Sequence, residues 1–194
     1  YNDVLVKNLL RVFLGKILQE EGNLSKALNI FNEQITVFAK EKIAAGAFLC
    51  WYYIARLTLV TDGSEKALHI SQKALDVAKN PKISNYYFMV LFKKLIAEIF
   101  IIKGDMESAK MYIEKALRIA KKYNMKLLKV SVYQLYAKYL EEMVLRKPKN
   151  SHTYAQNAVS AYKKAIEQAE KLEIEAVIED VQNSFNSFKT FCQL

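Results

Sequence analysis

The run Trp51-Tyr52-Tyr53-Ile54-Ala55, followed by Asp62-Gly63-Ser64-Glu65-Lys66-Ala67-Leu68 and then Ala74, decides the fold. Ala67 and Ala74 are seven residues apart, about two helical turns, so they share one helix face. A small residue there lets a neighbouring helix approach closely. Ala55 plays the same part in the helix before the turn, with Ile54 beside it as apolar bulk. Asp62-Gly63 supplies the tight turn between the two helices. The unit is a helical hairpin whose crossing points are marked by small side chains.

The pattern recurs. Gly22-Asn23-Leu24-Ser25-Lys26-Ala27-Leu28 is preceded by Leu14-Gly15 and followed by Phe31 and Gln34. Gly104-Asp105-Met106-Glu107-Ser108-Ala109-Lys110 is preceded by Ile96-Ala97 and followed by Ile113 and Ala116. A fourth copy lacks the turn but keeps Tyr136-Ala137, Ala158, Tyr162 and Ala165. Phe31, Ile113 and Tyr162 stand four positions after the first alanine and fill the space beside the close contact. Gly-Asn and Gly-Asp also offer an N-cap to the second helix.

These residues resemble the tetratricopeptide repeat over roughly residues 4–170. The usual period is about 34 residues. Here the first alanines, Ala27, Ala67, Ala109 and Ala158, are 40, 42 and 49 apart. The aligned Trp position holds Arg11 and Lys93 in the first and third copies, and the closing Pro is approximated only by Pro81. The chain is therefore similar to the long-repeat variant found in sensor arms of large bacterial regulators. The resemblance implies an all-α fold: a right-handed superhelical stack of antiparallel helix pairs, an α-solenoid of about four repeats plus a C-terminal capping helix.

Hydrophobic periodicity predicts helices over 3–21, 24–40, 43–60, 64–79, 83–103, 106–123, 126–146, 152–171 and 174–192. The hairpins are 3–40, 43–79, 83–123 and 126–171, forming an array over 1–171, with 172–194 as the cap. The breaker Arg146-Lys147-Pro148-Lys149-Asn150-Ser151-His152 lengthens the fourth copy. Leu172, Ile174, Val177, Ile178, Val181, Phe185, Phe188 and Phe191 give the last helix an apolar face, and Glu173, Glu179, Asp180, Asn183 and Asn186 a polar one. That arrangement suits the end of a stack.

Composition narrows the classes. With 52% hydrophobic residues the chain is not disordered, and 5 Gly with 2 Pro are too few for an all-β protein of 194 residues. The apolar runs near Ala44–Ala55 and Leu95–Ile102 are short or interrupted by charge, so no membrane span is expected. Two distant cysteines, Cys50 and Cys192, make a disulfide framework unexpected and favour a reducing cytoplasm. Tyr1 rather than Met, with no signal-peptide pattern after it, gives the expectation of a piece of a longer protein. The net charge of +9 is read as Lys-rich solvated helix faces, and nucleic acid is an unfavoured partner because the tyrosines recur at core spacing.

No enzyme is expected. The five glycines are dispersed, so no phosphate loop forms. His69 and His152 are far apart without a cysteine cluster, so no metal site is expected. Cys50 reads as a small core residue. Glu20-Glu21 and Glu141-Glu142 read as solvated carboxylate pairs. No cofactor is expected.

The expected function is a non-catalytic protein- or peptide-binding scaffold or regulatory module. In the resembled family the first helix of each pair lines the concave face, and that face holds peptides. One turn before the crossing residues stand Val12, Tyr52, Lys94 and Gln134; one residue after them stand Lys16, Arg56, Glu98 and Lys138. Three of the last four are cationic, so an acidic or carboxylate-bearing segment is the expected partner, with Arg56 as its fork-like anchor and Tyr52 and Tyr53 as rigid contacts. The alternative is a small-molecule-sensing arm of a bacterial transcriptional or signalling regulator, with an enclosed pocket near Trp51. Self-association through the N-terminal edge is a further alternative.

Overall fold

The computed structural model of the chain describes residues 2–80, 83 and 85–192. Among them are nine α-helices: α1 (Asn2–Glu20), α2 (Leu24–Lys40), α3 (Ala44–Thr61), α4 (Ser64–Lys79), α5 (Tyr86–Lys103), α6 (Met106–Lys122), α7 (Lys126–Arg146), α8 (Ser151–Glu170) and α9 (Glu175–Cys192). A 3-10 turn, Pro148–Asn150, sits at the expected breaker. No strand occurs among the described residues. The chain has the expected tetratricopeptide-like pairing of consecutive helices. The largest boundary difference is at α5, which starts at Tyr86 rather than 83. Asn85 lies just ahead of it, and its side-chain oxygen accepts the Phe88 N–H at 3.3 Å. Pro81 lies outside the described residues.

The helices form two compact units, Tyr1–Ile99 and Phe100–Leu194, divided within α5. In the first unit α1 packs on α2, α2 on α3 and α3 on α4, and α1 also touches α3. Its core holds Val12, Ala27, Phe31, Phe38, Cys50, Ile54 and Leu57. The small residues do what their spacing implies. Ala27, Ala55, Ala67 and Ala74 are buried, and a Cβ added at Gly15 would stand 2.7 Å from the Phe31 ring. Leu14, expected to supply bulk there, is instead half exposed. Gln34, in place of the second alanine, is fully buried.

In the second unit α6 packs on α7, α7 on α8 and α8 on α9. Ala109, Ala116, Ala137, Ala158 and Ala165 are buried, with Ile113 and Tyr162 beside them. The rings of Phe185 and Phe188 on α9 meet Tyr162 of α8 at 5.4 and 5.9 Å.

The turns divide into two kinds. Within pairs, Gly22, Gly63 and Gly104 adopt φ of 83°, 95° and 79°, a region glycine enters without steric cost. Between pairs, Lys42, Asn124 and Glu173 adopt φ of 58°, 48° and 57° without glycine. There the helix ends are closed by backbone bonds, Ile43 N–H to Phe38 O at 2.8 Å and Met125 N–H to Ala120 O at 2.9 Å. The expected N-caps are realised unevenly. Asp105 accepts the Ser108 N–H at 3.0 Å. Asn23 makes no such side-chain bond, and Gly63 itself occupies the cap position of α4.

The helix α3 is long and apolar enough by length and composition to cross a membrane, which the sequence reading did not anticipate. In the structure it packs against α2 and α4, with Gly46, Phe48, Cys50, Ile54, Ala55, Leu57 and Thr58 buried.

Candidate functional site

In the first unit, α3 and α5 run side by side through aromatic contacts. The Phe48 ring meets Phe88 at 5.3 Å, and Tyr52 meets Phe92 at 6.3 Å. One turn further along α3, Arg56 lies 5.9 Å over the Tyr52 ring and donates from Nη1 to the Tyr52 hydroxyl at 3.4 Å. Glu98 on α5 receives two cations. Lys94 Nζ is 2.7 Å from Oε1 and Arg56 Nη1 is 3.5 Å from Oε2. Burial works against the Arg56 charge, and Tyr52 and Glu98 more than offset it, so the guanidinium is held firmly cationic. Tyr52, Arg56, Lys94 and Glu98 therefore form one cluster, as their register implies.

The cluster is less basic than the residue types alone indicate. Two cations share one carboxylate, leaving +1 for Arg56, Lys94 and Glu98 together. Lys16 joins Glu20 of its own helix at 3.4 Å. Val12, at an aligned position, is wholly in the core. Tyr53 packs partly against the core, stacking on Phe31 at 5.3 Å, and its ring also meets Tyr52 at 5.7 Å.

In the second unit, Gln134 and Lys138 belong to one face of α7, beside α9. Gln134 Nε2 donates to Asp180 Oδ2 at 2.7 Å. Lys138 lines a cavity of about 430 Å³ together with Glu141, Tyr162, Phe188 and Phe191. Glu141 read as solvated in sequence. In the structure it is half-buried, and Tyr162 donates its hydroxyl to Oε1 at 2.5 Å. Burial raises the Glu141 carboxyl above its ordinary range, opposed by the Tyr162 hydrogen bond and Lys138 and helped by Glu142. Its position, one turn after Ala137, is the signal that places it on the inner ridge of α7.

This shift has a checkable consequence. A carboxyl whose folded pKa is raised favours folding at low pH, and that contribution is lost as pH rises through the folded value. Glu141→Gln keeps an acceptor for Tyr162 and carries no charge. The variant should match the wild type on the acid side of 4.5, the ordinary value, and gain on it as the pH rises to neutrality. Solvent screening keeps the gain below about 1 kcal/mol. Thermal melts of both proteins across that range measure it; a difference that does not vary with pH refutes the assignment.

Cys50, His69 and His152 lie outside both clusters. The Cys50 thiol is buried and pushed up to about 12 by desolvation, so it is not a nucleophile. His69 is exposed on α4, and His152 contacts Gln156 of its own helix at 2.9 Å. The described residues contain no group of three metal-ligating side chains.

Residues 95–123, the end of α5 with its turn and α6, match the family model described as tetratricopeptide repeat. The chain is similar to that repeat there, and it has the fold of tetratricopeptide-repeat proteins. Solved structures with this fold include a Signal Transduction ATPase with Numerous Domains (STAND) protein with a tetratricopeptide repeat sensor from Pyrococcus horikoshii. It is 18% identical, with a TM-score of 0.63 over 95% of this chain. The chain spans 27% of that protein's length. BtubC (BKLC) from P. vanneervenii is 18% identical, with a TM-score of 0.67 over 91% of this chain and 69% of its own. A Podosopora anserina putative kinesin light chain with nearly identical TPR-like repeats is 11% identical, with a TM-score of 0.52 over 96% of each chain. No curated protein sequence matches the chain. Folds of this kind serve as interaction or sensor scaffolds and are typically non-catalytic.

Proposed function

We propose that the chain is a non-catalytic protein- or peptide-binding module that uses the face formed by the first helix of each pair, with α9 closing the C-terminal end of the array. The observation that carries this is the Tyr52–Arg56–Lys94–Glu98 cluster. It places a partly exposed guanidinium beside an aromatic ring, with a carboxylate that an incoming acidic group can replace. Exchanging Glu98 for a partner carboxylate keeps Arg56 paired, so no cation is left unsatisfied. Such aromatic and Arg anchors carry most of the energy of peptide recognition.

A panel of acidic and basic peptides tests it. Acidic peptides should bind the purified chain, and Arg56→Ala should weaken them by about thirtyfold, the cost of a hot spot. Arg56→Lys should recover only part, because an ammonium does not fork. Equal binding by wild type and Arg56→Ala refutes the site.

A second reading has its own support. A groove of about 540 Å³ lies among α2, α3 and α4, walled by Ile35, Trp51, Ile54, Ile70 and Val77. It is open to solvent rather than enclosed, and its size suits a small apolar ligand. The likeness to a protein carrying a repeat-built sensor is consistent with such a role. Trp51 is the chain's one tryptophan, so its fluorescence reports entry of a ligand. A metabolite screen that leaves both emission and melting unchanged removes this reading.

A further inference from the structure

The cavity beside Lys138 is walled by three successive helices of the second unit. α7 supplies Lys138, Glu141 and Leu145, α8 supplies Tyr162, and α9 supplies Ser187, Phe188 and Phe191. Gln134 joins α7 to α9 at 2.7 Å, and the cavity opens further along both helices, at 138–145 and 184–191. Its volume of about 430 Å³ falls within the range of small-molecule sites. Leu145 and Phe191 are more than half exposed, so part of its apolar wall is uncovered.

The polar groups of the cavity are set to accept on one side and to donate on the other. Tyr162 donates its hydroxyl proton to Glu141 Oε1, which leaves Oε2 as an acceptor. Ser184 and Ser187 donate theirs to the Asp180 and Asn183 carbonyls of their own helix at 3.0 and 2.9 Å, so toward the cavity their oxygens can only accept. Lys138 supplies donors and the opposite charge. It stands three positions before Glu141, a spacing at which side chains on a helix meet, yet no ion pair joins the two among the described residues. Lys138 and Tyr162 only partly offset the burial of Glu141, whose carboxyl stays above its ordinary range. Glu142, the other carboxylate of the cavity, is already matched by Arg146 at 3.5 Å.

A ligand that carries only a cation would be repelled by Lys138, and one that carries only an anion would be repelled by Glu141. A peptide holds its terminal ammonium and carboxylate at opposite ends. A free amino acid holds both on one carbon, within reach of two side chains one helical turn apart. We propose that this cavity binds a free α-amino acid with an apolar side chain, its ammonium on Glu141, its carboxylate on Lys138 and its side chain against Leu145, Phe188 and Phe191. The site is independent of the peptide cluster on α3 and α5, and either can fail without the other.

Ligand-observed NMR titrations of the 194-residue chain with L-leucine and L-phenylalanine test this. At least one of them should bind. Glu141→Gln and Lys138→Met should each weaken it by about tenfold or more, with unchanged helical circular dichroism. Phenethylamine, which lacks the carboxylate, should bind more weakly than phenylalanine and should not be weakened further by Lys138→Met. Hydrocinnamate, which lacks the ammonium, should likewise bind weakly and should not be weakened by Glu141→Gln. Failure of both amino acids to bind at millimolar concentration overturns the inference. So does binding that either substitution leaves unchanged, or phenethylamine binding as tightly as phenylalanine.

Discussion

Replacing Gln34 with methionine should raise the stability of the chain. Gln34 is fully buried, and neither its carboxamide oxygen nor its nitrogen meets a hydrogen-bond partner. An unsatisfied buried polar group costs about 1–3 kcal/mol. Methionine is nearly isosteric, and a volume-conserving change in a core costs less than about 1.5 kcal/mol. The net gain is about 1 kcal/mol, equivalent to ~2–4 °C in the melting midpoint of a chain this size. Gln34→Ala restores the residue that the repeat pattern calls for, yet it should gain less. The space around position 34 is shaped for a long side chain, and alanine leaves a void whose cost offsets the removed polar atoms. Thermal or urea melts of the three proteins give the order Met above Ala. A destabilised Gln34→Met would mean that the carboxamide is satisfied in solution.

Gly46→Ala should do the opposite, against helix propensity. In a helix interior this change ordinarily gains up to about 1 kcal/mol. At Gly46 a Cβ would stand 2.5–2.6 Å from three carbons of the Phe38 ring. Phe38 is fully buried in the core of the first unit, so its ring has no room to retreat. Overpacking of this kind costs about 1–3 kcal/mol, and the expected result is a net loss. Phe38→Leu alone leaves a void and is also destabilising. Combined with Gly46→Ala it gives the new methyl room, so the double variant should be more stable than the sum of the singles predicts. Strict additivity in a double-mutant cycle refutes direct contact as the cause. Gly22→Ala is a useful contrast, since nothing lies within 4 Å of its added Cβ and only its φ of 83° opposes the change.

Most of the helix map was legible in sequence because its signals are local. Alanines seven apart define a face, and glycine at a turn supplies a backbone conformation that other residues reach only at a cost. The positive φ of Lys42, Asn124 and Glu173, which the helix map leaves between helices, was not legible for the converse reason. They take the left-handed conformation without glycine, at Lys42 and Asn124 beside closing backbone bonds, and residue type alone does not announce it. The candidate site was legible in register but not in charge. Lys94, Arg56 and Glu98 contact one another across α3 and α5. That two cations share a single carboxylate depends on α3 and α5 standing close enough for Arg56 to cross the gap.

The amino-acid sequence by itself determined that this chain is a set of antiparallel helix pairs, where they turn and which small residues let them touch, since each follows from spacing within one or two helices. Tertiary structure alone decided that Tyr53 stacks on Phe31, that Gln34 is buried without a hydrogen-bond partner, that Glu141 is half-buried and bonded to Tyr162, and that one side of α1 remains exposed. Each of these depends on which side chain from a distant segment fills the adjacent volume, and that is set by packing between helices rather than by periodicity within one.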